Sequence, residues 1–357
     1  FRLDPCTGPG QVTVAFIKVE AIGEITVPFL EQPQRPDKVI DKRMSVRSGN
    51  LEFKQYGDKW GSFVVEANGE EMAAGYESEL IGIVFGESAE WLNLKDAKIT
   101  FEKKRSELFS KAVIKDRRGG KWEIQRHIKP AEIKGTLKVE MQVKVNKDRD
   151  IVYIPWLTIF PGLGTFGERK SQGLFAGLEY LCDEPSSSTA DIETPEHIRR
   201  VPESVKITFP LMAIMHKGSY IGLIWEPSDM IAATFDSPDR MYKSGAHVMA
   251  LSGPAIGELR FENDYCAHTG FRLKANKPLK VSMKIIGGKG NNVAAEVKHY
   301  VKLNGLPAVP EIEGGLDAAV NLLTHGWLDS EINHNGLFRH AVWGNNFPPT
   351  QAADAAV

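Results

Sequence analysis

Residues 109–146 read FSKAVIKDRRGGKWEIQRHIKPAEIKGTLKVEMQVKVN. Three runs within them, 109–116, 121–128 and 135–146, alternate apolar with polar residues, the period of strands buried on one face only. Arg118-Gly119-Gly120 and Lys129-Pro130 separate the runs with turn chemistry. The reading is of long strands in an antiparallel sheet, with residues 116–121 as a hairpin loop between two of them. The same period recurs upstream at 11–20, 60–66 and 97–102, and helical spacing is almost absent up to residue 287. So many long strands predict a mainly-β chain whose core lies between two large stacked antiparallel sheets. No repeat of fixed period and no Pro/Ser-rich linker divides the span, so one large sandwich is expected rather than several small ones.

Charge narrows the function. The 357 residues hold 44 Lys and Arg against 46 Asp and Glu, which argues against nucleic acid or an anionic membrane as the main partner. The most basic region, 102–150, alternates its Lys and Arg with Leu137, Val139, Met141, Val143 and Val145 and reads as the solvated face of long strands. Cys6, Cys182 and Cys266 fit no zinc spacing, and three cysteines cannot all be paired within the chain. No run approaches the twenty apolar residues of a membrane span. No phosphate-binding loop, dinucleotide fingerprint, nucleophile elbow or HExxH occurs, so no cofactor and no metal is expected. The chain begins at Phe1 and closes on AADAAV, which reads as a piece of a longer protein.

Residues 173–251 carry the densest chemistry. Runs 205–215 and 220–225 read as neighbouring core strands joined at Lys217-Gly218-Ser219. Loops at their ends gather carboxylate, His, Arg and Trp. Glu179 in GLEYLCDE is a candidate base or metal ligand, or else a solvent-facing strand end. Arg199 in EHIRRVP is a candidate fork for the carboxylates of an acidic polysaccharide. Trp225 beside Glu226 suits a sugar, whose C–H faces stack on rings while its hydroxyls seek carboxylates; a core Trp is the alternative. Asp239 and Arg240 form a further polar loop ahead of His247. His247 with Glu179 or Glu226 supplies the two groups needed to protonate a ring oxygen and deprotonate an anomeric hydroxyl. Tyr265 and His268, in NDYCAH, repeat the theme.

Helical spacing begins after residue 290. Val293, Val297, Tyr300 and Val301 mark one helix, with Asn292 as its cap. Residues 304–315, NGLPAVPEIEGG, read as a linker, and Leu316, Val320, Leu323 and Trp327 stripe a second helix over 315–329. Residues 330–340 read as a continuation into a third helix, and Thr350 as the cap of a fourth. Expected domains are therefore a sandwich over 1–290, a linker helix and crossover over 291–314, and the start of a helical domain over 315–357.

This order of elements resembles the galactose-mutarotase-like supersandwich that precedes an (α/α) toroid in several glycoside hydrolases and phosphorylases. The run FPLMAIMHKGSYIGLIWEP at 209–227 is similar to segments of uncharacterised bacterial proteins of carbohydrate-degrading lineages, and the tail from Gly314 to Asn346 looks like the first helices of a toroid. The resemblance implies the glycan-binding or framing part of a larger, secreted or periplasmic polysaccharide-degrading enzyme, with an oligo- or polysaccharide as partner. In that arrangement the catalytic carboxylates usually lie in the toroid, most of which this chain lacks. A structural or glycan-binding module without catalysis is one alternative. A sugar epimerase or polysaccharide lyase working through His and Glu of the sandwich is the other.

Overall fold

The computed structural model describes residues 25, 27–37, 43–86, 88–186, 200–255, 262–306, 308 and 311–329, and the backbone of 333–334 and 337–338. Two compact units divide at Asn304. The first is mainly β. Its nine-stranded sheet contains a meander: β7 (Lys98–Lys104), β8 (Glu107–Lys115), β9 (Lys121–Pro130) and β10 (Thr136–Val145) pair antiparallel in sequence order. Beyond β10 lie β19 (Leu279–Lys289), β15 (Ser219–Trp225), β14 (Leu211–His216), β12 (Gln172–Phe175) and β13 (Glu179–Leu181).

The facing ten-stranded sheet is built around β11 (Arg149–Pro161). At its C-terminal end β11 pairs with β4 (Glu70–Ala74), which leads through β3 (Phe63–Ala67) and β2 (Leu51–Gln55) to β1 (Met44–Ser48). Along its middle it pairs with β17 (Val248–Gly253), itself flanked by β16 (Ala232–Asp236), and at its start with β5 (Leu80–Phe85) and β18 (Phe271–Leu273); β6 (Ser88–Asn93) completes the sheet on β5. The strand β11 is buried along almost its whole length, as a run with no polar face requires.

Inward side chains of both sheets form one core, with Trp60, Trp122 and Trp156 sealed in it. One charge sits there too. The Arg126 guanidinium lies 4.4 Å over the Trp60 ring and 5.0 Å from Phe63, and donates to Trp60 O at 2.9 Å and Gln55 Oε1 at 3.1 Å. Nearby, Glu79 accepts from Trp60 Nε1 at 3.0 Å. Burial pushes the Glu79 carboxyl up to about 7, with Arg126 pulling the other way. At the β8–β9 loop, Asp116 takes Arg149 Nε at 2.7 Å, Gly120 N at 2.8 Å and Trp122 Nε1 at 3.0 Å. Burial opposes ionisation of Asp116, but these donors outweigh it and bring the carboxyl down to about 2.

Several expectations hold to within a few residues. The runs at 109–116, 121–128 and 135–146 are β8, β9 and β10. The β14–β15 turn is Lys217-Gly218, both at positive φ (47° and 79°), the conformation a two-residue hairpin demands. Helix α1 (Ala294–Asn304) begins just after Asn292, whose Oδ1 accepts from Ala294 N at 3.1 Å, and it packs Val297 and Tyr300 against the cluster of Leu211, Tyr220, Ile224 and Ile286.

Two expectations are corrected. The strand expected over 205–215 is confined to Leu211–His216; Ser204–Lys206 is a single 3-10 turn, and Val205 is exposed. Pro210 lacks the N–H that a longer ladder would use. In the second unit, the third helix expected over 330–340 is instead a strand pair, β20 (Asn333–His334) with β21 (Leu337–Phe338). The two residues between them in sequence are Asn335-Gly336, a pair that favours a hairpin over a helix. Helix α2 (Gly315–Leu328) forms as expected, but Leu316, Val320 and Leu323 of its apolar stripe stay exposed. The run 11–20, Cys6 and the helix capped by Thr350 lie outside the described residues. Among the described residues Cys182 and Cys266 form no disulfide.

Candidate functional site

Alternation decides which polar groups of the nine-stranded sheet meet water. In β8, β9 and β10 one parity is buried and the other is not, and register aligns the second parity into cross-strand rows. Glu102, Phe109, His127, Glu140 and Ser282 are successive partners in one row. Thr100, Lys111, Gln125, Gln142 and Lys280 are successive partners in the next. Both rows line a cleft of about 1040 Å³, whose lining also includes Glu226, Pro227, Ser228 and Met230 from the segment that leaves β15.

His127 is the most connected group of the cleft. Its ring stacks on Phe109, centroids 4.1 Å apart and planes within 12°. Its Nε2 lies 2.8 Å from Glu107 Oε2 and its Nδ1 3.1 Å from Glu140 Oε2. A neutral imidazole has one N–H and serves one of these carboxylates; the protonated ring serves both. Glu140 is also bonded by Lys138 at 2.7 Å and Lys129 at 3.1 Å. The Lys138 contact, with Lys129 in support and against some burial, holds its carboxyl down to about 2. Lys111 is tied to Glu123 at 3.0 Å. In contrast, Thr100, Gln125, Gln142 and Ser282 make no side-chain hydrogen bond to another described residue. The cleft therefore offers unengaged hydroxyls and amides along a fixed, ion-paired wall. Among the described residues no group of three or more His, Cys, Asp or Glu is arranged to hold a metal.

The residues singled out in the sequence fall elsewhere, with one exception. Glu226 is exposed and lines the cleft. Trp225 is 5 % exposed, lies inward opposite Met283 and meets Phe175 edge-on at 6.3 Å; it presents no open ring face. Glu179 is buried at the start of β13, opposite Phe175. His247 is fully buried, its Nδ1 2.8 Å from Ser237 Oγ. Burial first, then the Lys170 charge, push its imidazole down to about 4.

Asp239 accepts backbone N–H groups from Met241 and Tyr242 at 3.0 Å and from Ser244 at 2.9 Å. Arg240 forks onto Asp236, with Nη2 2.6 Å from Oδ1 and Nε 3.0 Å from Oδ2. Tyr265 is buried in a stack with Tyr153 at 4.5 Å, and His268 is held by Asp264 at 2.7 Å. Arg199 lies outside the described residues. The structure therefore does not join Glu226 and His247 into an acid–base pair, since one is in solvent and the other sealed.

No protein-family model matches the chain, and no curated protein matches it in sequence. Solved structures do match it in fold. A galactose mutarotase-related enzyme from Lactobacillus acidophilus aligns over 70% of this chain and 99% of its own, at 9% identity and a TM-score of 0.39. An aldose epimerase homologue from C. elegans aligns over 70% and 100%, at 9% identity and 0.43. An α-N-acetylgalactosaminidase from Bifidobacterium bifidum, in complex with GalNAc, aligns over 73% of this chain at 12% identity and 0.47. This chain covers 39% of that enzyme's length.

The cleft residues that sequence reading passed over, Phe109, Gln125, His127, Glu140 and Gln142, all belong to the region taken as a solvated strand face. That reading of the face was right about exposure. The missing signal was register: only the pairing of 127 with 140, and of 142 with 280, makes one surface of residues far apart in the chain.

Proposed function

We propose that the chain binds an oligo- or polysaccharide in the cleft over β7–β10 and β19, as the glycan-framing part of a larger polysaccharide-degrading enzyme. The observation that carries this reading is the set of unengaged Thr100, Gln125, Gln142 and Ser282 side chains beside the braced Phe109–His127 stack. Sugar hydroxyls both donate and accept, so amides and hydroxyls match them better than a charged wall does. Charge along the cleft is mixed, with Glu102, Glu140 and Glu226 against Lys111 and Lys280, which favours a neutral glycan over a polyanion. Both ring nitrogens of His127 are occupied by carboxylates, which favours positioning over proton transfer by that residue. The exposed apolar stripe of α2 supports a protein in which further helices cover it.

Glycan-array and calorimetric binding with wild type and the Gln125→Ala/Gln142→Ala double variant test the reading. Saturable binding to one class of neutral glycan, weakened about tenfold or more by the double variant, is the expected result. Absence of binding, or binding that ignores the substitutions, rejects it.

A further inference from the structure

A second pocket, of about 510 Å³, opens where α1 crosses the β10–β19 end of the nine-stranded sheet. Its electrostatics differ from those of the cleft. Lys298 and Lys302 reach it from one face of α1, and Lys134 and Lys289 line its strand side. All four are exposed, and none lies within 4.0 Å of a carboxylate among the described residues. No Asp or Glu lines the pocket. Four unpaired cations thus surround one cavity in a chain whose net charge is −2, while Lys104, Lys111, Lys121, Lys129, Lys138 and Lys144 of the same sheet each find a carboxylate.

The floor is built from buried, hydrogen-bonded groups. Tyr220 OH lies 2.8 Å from His299 Nδ1, and His299 Nε2 lies 2.7 Å from Thr136 Oγ1, both bonds buried. Burial lowers the imidazole, with Lys302 adding to the effect, and burial, with the charge of the buried Glu296 in support, pushes the Tyr220 hydroxyl up to about 12. The positive charge therefore resides on the lysines alone. Two glycines keep the cavity open. A Cβ on Gly288 would meet Tyr220 Oη at 2.7 Å, and one on Gly135, at φ +80°, would meet Gly287 O at 2.5 Å.

We infer that this pocket is an oxyanion site that takes a phosphate or sulfate group, free or esterified to a sugar. Lysine ammonium groups supply charge without imposing a planar fork, which suits a tetrahedral anion. The volume exceeds what a bare anion fills and falls in the range of small-ligand pockets, which leaves room for a sugar ring behind the anionic group. The inference is independent of the neutral-glycan reading of the cleft, since the two cavities share no lining residue.

Calorimetric titration of the full chain with inorganic phosphate, inorganic sulfate, glucose 6-phosphate and glucose, at constant ionic strength, tests it. The expected result is saturable binding of an oxyanion with Kd below roughly 10 mM, a loss of about tenfold or more in Lys298→Gln/Lys302→Gln, and no effect of those substitutions on any binding of glucose. Tighter binding of glucose 6-phosphate than of phosphate identifies the esterified source; equal or weaker binding identifies the free ion. Both substituted lysines are exposed, so the variant keeps its fold, and an unchanged melting temperature confirms that. The Gln125→Ala/Gln142→Ala variant serves as a control and binds the oxyanion as wild type does. No saturation by any oxyanion, or equal affinity in wild type and the double lysine variant, overturns the proposal.

Discussion

The loop running from Asp236 to His247 and the solvent face of β7–β10 hold similar polar side chains, and they use them in opposite ways. In the loop, Asp239 is consumed by three backbone N–H groups, Arg240 by Asp236 and His247 by Ser237. Where the loop leaves the ladder Asp239 satisfies backbone N–H groups in its place, while Arg240 and His247 are taken up by neighbouring side chains. On the sheet face the ladder already satisfies the backbone, and Gln125, Gln142, Thr100 and Ser282 are left over. Polar density in a sequence therefore marks a binding surface less reliably than polar groups whose backbone needs are met by regular structure.

The comparison can be broken most forcefully at Trp225. Trp225→Ala removes a side chain from the common core and is expected to cost about 3–5 kcal/mol in chemical denaturation. Any loss of glycan binding then follows unfolding, and Trp225→Phe restores it. If Trp225→Ala instead abolished binding with stability intact, the ring would belong to a site and the contrast would fail.

Asp239→Ala orphans three N–H groups in a buried loop and is expected to destabilise by about 3 kcal/mol, with the same midpoint measurement as the check. His247 sharpens the contrast through pH. Its folded value of about 4 lies below the ordinary 6.5, so the unfolded chain takes up its proton first as pH falls. The contribution of His247 is therefore complete above 6.5 and is lost progressively as pH drops toward 4. The buried Glu79 carboxyl, raised to about 7, works the other way over the same range, so the check is a difference: from pH 7 through 5.5 to 4.5 the wild-type denaturation midpoint should fall relative to that of His247→Gln. The smallest effect is expected on the sheet face: Gln125→Ala and Gln142→Ala should each change stability by no more than about 0.5 kcal/mol while weakening glycan binding. A shift beyond about 1 kcal/mol would show that these amides brace the fold as the loop residues do.

The fold was largely legible because its signal is local. Residues 109–146 display their buried parity residue by residue, and Lys217-Gly218 states its own turn. Where local signals failed, a competing constraint explains it: Pro210 cut short an apolar run, and Asn335-Gly336 favoured strands in a segment read as helix. The candidate site was mostly illegible for a different reason. Glu226 was found because it sits at a strand end among conspicuous neighbours. His127 and Glu140 acquire meaning only when strands thirteen positions apart are set in register, and Lys280 joins Gln142 across an even longer separation. The role of Asp239 was ambiguous because a carboxylate in a loop looks the same in sequence whether it holds backbone or ligand.

The place of β19 has a consequence for how the first unit is assembled. Strands β7 to β10 are joined by short connections and can zip from one hairpin to the next. The other half of their sheet pairs within itself, β14 lying between β12 and β15. Among the described residues only β19, from the end of the unit, hydrogen-bonds to both β10 and β15. Until it is synthesised, each half carries a long unpaired edge, the kind of template on which chains add to one another. A version ending before Leu279 is therefore expected to aggregate rather than to fold as a smaller sandwich, and the nascent protein passes its most association-prone moment just before α1 emerges.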